Sequence, residues 1–275
     1  MKLFLVPTDF SDNAKRALVY ACKLATEANT QIVLLNSYQA PSSTANVMIN
    51  FIDILEEDSK KDLEKLINEI KVEFPHLVFS SYSAYGTLSE AIKKASQKYD
   101  IDLIVMGTAG ASNITSKIFG SNTTDAIKNT EQPILVVPKD TEYSKWKDIT
   151  FASNLLHSNN DCPFAPLKEV TSISESHLNI ITVVDDVLKV DIQKIDERIK
   201  AKLKNVSYNI NVVENNSVVD GILSFIEKTP TDLLVMIRKD YGFLEGLLHK
   251  SVTKKIALQA NKPILLYKAC KKTNT

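Results

Sequence analysis

Asp102-Leu103-Ile104-Val105-Met106 returns 130 residues later as Asp232-Leu233-Leu234-Val235-Met236. Each is an apolar, strand-like run. At the same offset Pro133-Ile134-Leu135-Val136 recurs as Pro263-Ile264-Leu265-Leu266. Ile92 maps to Ile222, Ser121 to Ser251 and Thr123 to Thr253. Near the start, Pro7-Thr8-Asp9-Phe10 answers to Ala152-Ser153-Asn154-Leu155 at an offset of 145. Register that agrees at several separate points identifies two copies of one unit. The fifteen-residue change in offset makes the first copy longer around its second helix, within residues 39–60, and Pro41-Ser-Ser-Thr44 fits a loop there.

Outward from these runs, strand-like segments alternate with helical periodicity, the pattern of a parallel α/β sheet. In the first copy strands are expected near 2–7, 31–37, 77–84, 101–106 and 133–137. Helices are expected near 12–28, 54–73, 87–98 and 122–131. Leu88, Ala91, Ile92 and Ala95 mark one face of the third helix. Two domains follow, 1–140 and 147–275, with Tyr143-Ser-Lys-Trp-Lys147 as a short junction. A length of 275 residues accommodates both.

Composition narrows the classes of function. Hydrophobic residues at 44% supply two cores, and 33 basic residues balance 33 acidic ones, so nothing points to nucleic acid or a membrane surface. No stretch approaches the ~18 apolar residues that span a bilayer. Met1-Lys-Leu-Phe-Leu-Val-Pro7 is too short for a signal sequence, and Asp9 interrupts it. Cys22, Cys162 and Cys270 are odd in number and far apart, neither a disulfide framework nor a metal-ligand spacing. A reducing, cytoplasmic setting is the expectation.

The chemistry concentrates where Asp102–Met106 ends. Gly107, Gly110 and Gly120 place three of the seven glycines in one fourteen-residue window, followed by Ser121-Asn122 and an amphipathic stretch to Thr130. Strand, glycine loop and helix start make a phosphate cradle. Glycine permits positive φ and close approach of a ligand, and amides at a helix N-terminus favour an anion. Each residue alone has a plainer explanation. A glycine ending a strand serves a turn, Ser121 serves as a cap, and Asp9 could cap the first helix.

Taken with the strand order, these residues resemble the universal stress protein family in its tandem two-domain form. Nucleotide-binding members carry Gly-x-x-Gly, nine residues, then Gly-Ser/Thr, and Gly107, Gly110, Gly120 and Ser121 match without a spacing error. The acidic residue after the first strand is supplied by Asp9, and the glycine ahead of the third helix by Gly86. The resemblance implies two five-stranded parallel sheets of order 3-2-1-4-5 with helices on both faces, an adenine nucleotide alpha hydrolase-like or Rossmann-like fold. Ligands of such sheets sit where strand order reverses, so Asp9 and Gly107 are expected to meet between strands one and four.

It further implies ATP, with Mg²⁺, as the ligand. Gly120, Ser121 and Asn122 would donate to the β- and γ-phosphates. Gly107 and Gly110, flanked by Met106 and Thr108, would let the loop pass close to the ribose and α-phosphate. Asp9 would lie near the adenosine, with the backbone of Pro7-Thr8 and of Asn36-Ser37 framing the base. Family members commonly dimerise through their fifth strands. Ile134-Leu-Val-Val137 and Ile264-Leu-Leu-Tyr267 are accordingly expected to pair within the chain, with a homodimer of whole chains also plausible.

The second copy departs from this pattern. Gly107 maps to Ile237, Gly110 to Asp240, Gly120 to Lys250 and Asp9 to Asn154, while Gly242 and Gly246 belong to a differently spaced loop and His249 precedes Lys250. Nucleotide is therefore expected in the first domain alone. Neither Gly-x-x-x-x-Gly-Lys-Ser/Thr nor Gly-x-Ser-x-Gly occurs, and His76, His157, His177 and His249 have no partner at metal-ligand spacing. A regulatory nucleotide-binding protein is the expectation. The alternatives are an ATP-independent interaction protein, for which the glycine loop is a relic, and a slow ATPase or adenylating enzyme.

Overall fold

The computed structural model describes residues 1–40, 48–108, 120–153, 164–238 and 261–268. The chain divides into two units, Met1–Lys139 and Asp140–Thr275.

In the first unit the strands are β1 (Leu3–Pro7), β2 (Gln31–Tyr38), β3 (Phe79–Tyr85), β4 (Leu103–Gly107) and β5 (Ile134–Val137). They lie in the order β3-β2-β1-β4-β5, all parallel. Phe4, Leu5 and Val6 are buried, as are Ile32–Leu35 and Leu103–Met106. Runs buried without alternation are what a parallel sheet covered on both faces requires. The helices are α1 (Asp12–Ala28), α2 (Met48–Glu73), α3 (Leu88–Lys98) and α4 (Ser121–Asn129).

Local chemistry sets the helix ends. Ser11 caps α1 by accepting from the Ala14 amide. Asn29 ends it in the left-handed conformation at φ 49°. Along α1, Ala14, Ala17, Leu18, Ala21, Leu24 and Ala25 form the buried stripe at helical spacing. Thr87 and Glu90 make a reciprocal capping box at α3. Gly86, at φ +130°, precedes that box, and a Cβ there would stand 2.7 Å from Glu90 Oε2. Ala91, Ile92 and Ala95 of α3 are buried as the periodicity requires.

The second unit repeats the plan with β6 (Asp148–Ala152), β7 (His177–Val184), β8 (Tyr208–Glu214), β9 (Leu233–Arg238) and β10 (Ile264–Lys268), in the order β10-β9-β6-β7-β8. Its described helices are α5 (Phe164–Ile173), α6 (Ile192–Lys200) and α7 (Val218–Lys228). The register reproduces the repeat: Gly107 pairs with Val137 in the first unit, and Ile237 pairs with Tyr267 in the second. The length difference falls on the second helix, 26 residues in α2 against 9 in α6. α2 begins six residues before the expected position 54, at Met48. Pro41–Thr44 lies outside the described residues.

The 143–147 segment packs as part of the second unit. Trp146 is buried, its carbonyl accepts from Ser176 Oγ, and its ring meets Tyr143 at 6.5 Å between centroids.

Both units are braced alike at the amino ends of their strands. Asp102 Oδ2 accepts from the amides of Lys2 at 2.6 Å and Leu3 at 3.0 Å. Asp232 Oδ2 accepts from Lys147 at 2.9 Å and Asp148 at 3.0 Å. The acid that opens the repeated run thus holds the first strand of each unit to its fourth.

Candidate functional site

The carboxyl ends of β1 and β4 open into one cleft of about 90 Å³. Pro7, Thr8, Asp9, Ser37, Met106, Gly107 and Asn122 of the expected set all line it. Asn13, Ala14, Leu88 and Thr123 complete the described lining, and Asp9 is the charged residue among them. The cleft lies where strand order reverses, since β1 pairs with β2 on one side and β4 on the other.

The turn after β1 is built by its own side chains. The Thr8 amide continues the ladder to Leu35 O at 2.8 Å, and Thr8 Oγ1 accepts the Phe10 amide at 3.0 Å. Phe10 takes a left-handed φ of 63°, a conformation in which a bulky residue is strained. Asp9 Oδ1 accepts from the Ser11 amide at 3.1 Å and the Ser11 hydroxyl at 2.5 Å. Ser11, not Asp9, is the helix cap. Asp9 fixes that cap while remaining exposed at the mouth of the cleft.

Asn36 and Ser37 diverge, as neighbours on a strand do. Ser37 lines the cleft. The Asn36 side chain is buried, donating to Thr8 O at 2.8 Å and accepting from Ser59 Oγ at 2.7 Å. Ser83 Oγ extends the chain to Ser59 at 2.6 Å. Asn36 therefore positions the end of β1 from behind. Beyond Ser37, Tyr38 and Tyr85 meet edge to face at 5.9 Å between centroids. Burial, then the neighbouring Glu56 carboxylate, raises the Tyr38 hydroxyl above its ordinary pKa.

On the other side, Gly107 is the last residue of β4 and does not adopt the left-handed φ expected of a loop glycine. Its need for no side chain comes from α1. A Cβ there would collide with the Asn13 carboxamide nitrogen and stand 3.3 Å from the Asn13 carbonyl oxygen. Thr108 O accepts the Gly120 amide at 2.8 Å, tying the residue after β4 to the start of α4. Gly110 lies outside the described residues.

Gly120 is the N-cap of α4 and Ser121 its first residue. The amides of Ser121, Asn122 and Thr123 have no acceptor inside the helix and carry the positive end of its dipole. Thr123 Oγ1 donates to Gly107 O at 3.0 Å, tying this helix start to the end of β4. The arrangement offers an anion two helix starts, α1 and α4, and offers a hydroxyl-bearing ligand the Asp9 carboxylate.

Asn13 and Thr123 are the polar lining residues that the motif spacing did not mark. Their signal was position: each falls in the first turn of a helix beginning at the switch point. Leu88, expected on the core face of α3, instead lines the cleft.

In the second unit Ile237 occupies the register of Gly107, half-buried at the end of β9. Asn154, His157, Asp240, Gly242, Gly246, His249, Lys250, Ser251 and Thr253 lie outside the described residues, as do Cys162 and Cys270. His76 Nε2 meets Thr26 Oγ1 at 2.9 Å and His177 Nδ1 meets Ser207 Oγ at 2.8 Å, both ordinary structural contacts. Among the described residues no group of three His, Cys, Asp or Glu side chains is placed to hold a metal, and no helix is long and apolar enough to cross a membrane.

Comparison with known proteins bears on the same two units. The model of the Universal stress protein family matches residues 1–138 and again 177–268. Universal stress protein MJ0577 of Methanocaldococcus jannaschii is 24% identical over 156 residues, which cover 50% of this chain and 95% of that protein. Universal stress protein MJ0531 of the same organism is 26% identical over 144 residues, covering 50% of this chain and 82% of the relative. The crystal structure of a universal stress protein from Archaeoglobus fulgidus superposes with a TM-score of 0.77 at 20% identity, covering 97% of this chain and 98% of that one. At that identity the likeness speaks to the fold in both halves.

Proposed function

The chain belongs to the universal stress protein family, and from that premise we propose that its first unit binds ATP, with Mg²⁺, as a regulatory ligand. One observation carries the reading: seven of the residues expected from the motif line a single cleft at the strand-order reversal. First-turn residues of α1 and α4 line that cleft, and the positive ends of the two helix dipoles favour phosphate.

In this reading each residue has a role. Gly120, Ser121 and Asn122 present helix amides and a hydroxyl to phosphate oxygens. Asp9 accepts from ribose hydroxyls. Pro7, Thr8 and Ser37 edge the base, Asn36 holds that edge in place, Met106, Gly107 and Thr108 form the floor, and Gly110 is proposed with them from the motif. The bound nucleotide stabilises one conformation or interface of the protein. The second unit does not bind ATP in this manner, because Ile237 brings a side chain to the register where the first unit has Gly107.

Native mass spectrometry of the purified full chain tests the proposal directly. One adenine nucleotide per chain is expected. A chain that carries none, and shows no thermal shift with saturating Mg-ATP, refutes it. Timed conversion of ATP to ADP or AMP in the same preparation separates a regulatory ligand from a slow hydrolytic or adenylating activity.

A further inference from the structure

The cleft contains a polar side chain that the family's glycine spacing does not mark. Asn13 is the second residue of α1, half-buried, and it lines the cleft. Its carboxamide nitrogen occupies the space a Cβ on Gly107 would need, with Cγ 3.0 Å from that point. Asn122 stands at the matching place, the second residue of α4, and lines the same cleft. Two helices therefore begin on this crevice, and each carries a carboxamide in its first turn with Gly107 between them.

We infer that Asn13 is a specificity-determining residue of the nucleotide site, seated on Gly107 so that its Nδ2 donates to a phosphate oxygen from the α1 side. The inference rests on the nucleotide reading above and deepens it. A carboxamide supplies a donor without charge, and a hydrogen bond to a charged phosphate is about twice as strong as one between neutral groups. The helix start beneath Asn13 adds partial positive charge at the same place. Asp9 accepts only and cannot serve phosphate, so the two side chains divide the ligand. Asp9 takes its hydroxyls and Asn13 its anion. Gly107 thereby acquires a second reason to be glycine, since any side chain there displaces the Asn13 carboxamide.

The test titrates the full chain, Asn13→Ala and Asn13→Asp with Mg-ATP and, separately, with adenosine. Asn13→Ala should weaken Mg-ATP by about tenfold, the loss of one charge-assisted hydrogen bond. Asn13→Asp should weaken it further, because a carboxylate repels phosphate, while adenosine affinity stays within about twofold in both. Unchanged Mg-ATP affinity in both variants overturns the inference, and so does an equal loss for adenosine, which would place Asn13 at the ribose. A wild-type chain that binds neither ligand refutes the nucleotide reading itself.

A measurement without nucleotide checks the seating. Gly107→Ala should lower Tm in the wild-type chain by at least twice as much as in the Asn13→Ala background, where the carboxamide is gone. Equal losses in the two backgrounds would show that Asn13 is not what Gly107 accommodates.

Discussion

Leu3 and Asp102 bond to each other twice: the Leu3 amide donates to the Asp102 carboxylate at 3.0 Å, and the Asp102 amide donates to the Leu3 carbonyl at 3.1 Å. Asp148 and Asp232 repeat the reciprocal pair at 3.0 and 2.7 Å. Each carboxylate takes the amide of its strand's first residue and that of the residue before it. Removing either acid should cost about 1–3 kcal/mol, the range for leaving partly buried donors unmet. Asp102→Ala and Asp232→Ala should both lower the urea midpoint, and Asp102→Asn, which keeps an acceptor oxygen, should lower it less. A midpoint unchanged in Asp102→Ala would show the clasp to be incidental.

The capping box at α3 gives stability a pH dependence with a definite sign. The Thr87 amide, then its hydroxyl, holds the Glu90 carboxyl below its ordinary pKa. A depressed folded value contributes stability above the unfolded value, about 4.3 for glutamate, and loses it as pH falls through the folded one. Wild type should therefore exceed Glu90→Gln in urea midpoint at neutral pH, with the gap closing on acidification below about pH 4.3. A gap that is independent of pH contradicts this.

Gly86→Ala should destabilise by about 1–2 kcal/mol, because an alanine resists φ +130° and its Cβ meets Glu90 Oε2. Thermal denaturation measures it. A neutral result would mean that this turn relaxes to negative φ.

Asn36 is the hinge of a buried polar chain. Asn36→Ala should cost about 1–3 kcal/mol by leaving Thr8 O without its donor and Ser59 Oγ without its acceptor. Nucleotide affinity should fall too, although the side chain lies outside the cleft, since the end of β1 loses its support. Stability lost with affinity intact would separate the chain from the site.

Gly120→Lys imitates Lys250 of the second unit and should abolish the stabilisation by Mg-ATP, about 2.7 kcal/mol at a hundred times the dissociation constant. Gly120→Ser, an ordinary cap residue, should retain part of it. A full shift in Gly120→Lys places the nucleotide elsewhere.

Cys22 offers a control on folding. Burial, then the Glu73 charge, pushes its thiol up to about 12. At about pH 8 almost none of it is thiolate, so an alkylating reagent should label Cys22 only after denaturation. Peptide mass spectrometry distinguishes it from Cys162 and Cys270.

The tandem plan was legible because the repeat carries structural information twice. Asp102–Met106 and Asp232–Met236 match in sequence, and each leads into the fourth strand of one of two units with like strand order. The cleft was legible at the backbone level: Gly107 and Asn122 follow from a strand end and a helix start, while Pro7 and Asp9 follow from the family resemblance. What stayed hidden depends on which way a side chain turns. Asn36 and Ser37 are adjacent in the chain, yet the pleat sends one into the fold and the other into the cleft. Asn13 carries no mark in the sequence, because what distinguishes it is its contact with Gly107 across the paired β1 and β4. Leu88 kept its helical periodicity but stands where α3 overhangs the cleft, so the same stripe that fills the core also edges the site.

The clasps and the cleft occupy opposite ends of the same short strands. β1 and β4 are five residues each, so about 15 Å separates brace from ligand edge at the rise of a strand. A duplicated chain built this way can let one copy's chemistry drift while its architecture is inherited intact. In the second unit the Asp232 clasp likewise stands at the amino ends of its strands, so substitutions at their carboxyl ends leave it untouched.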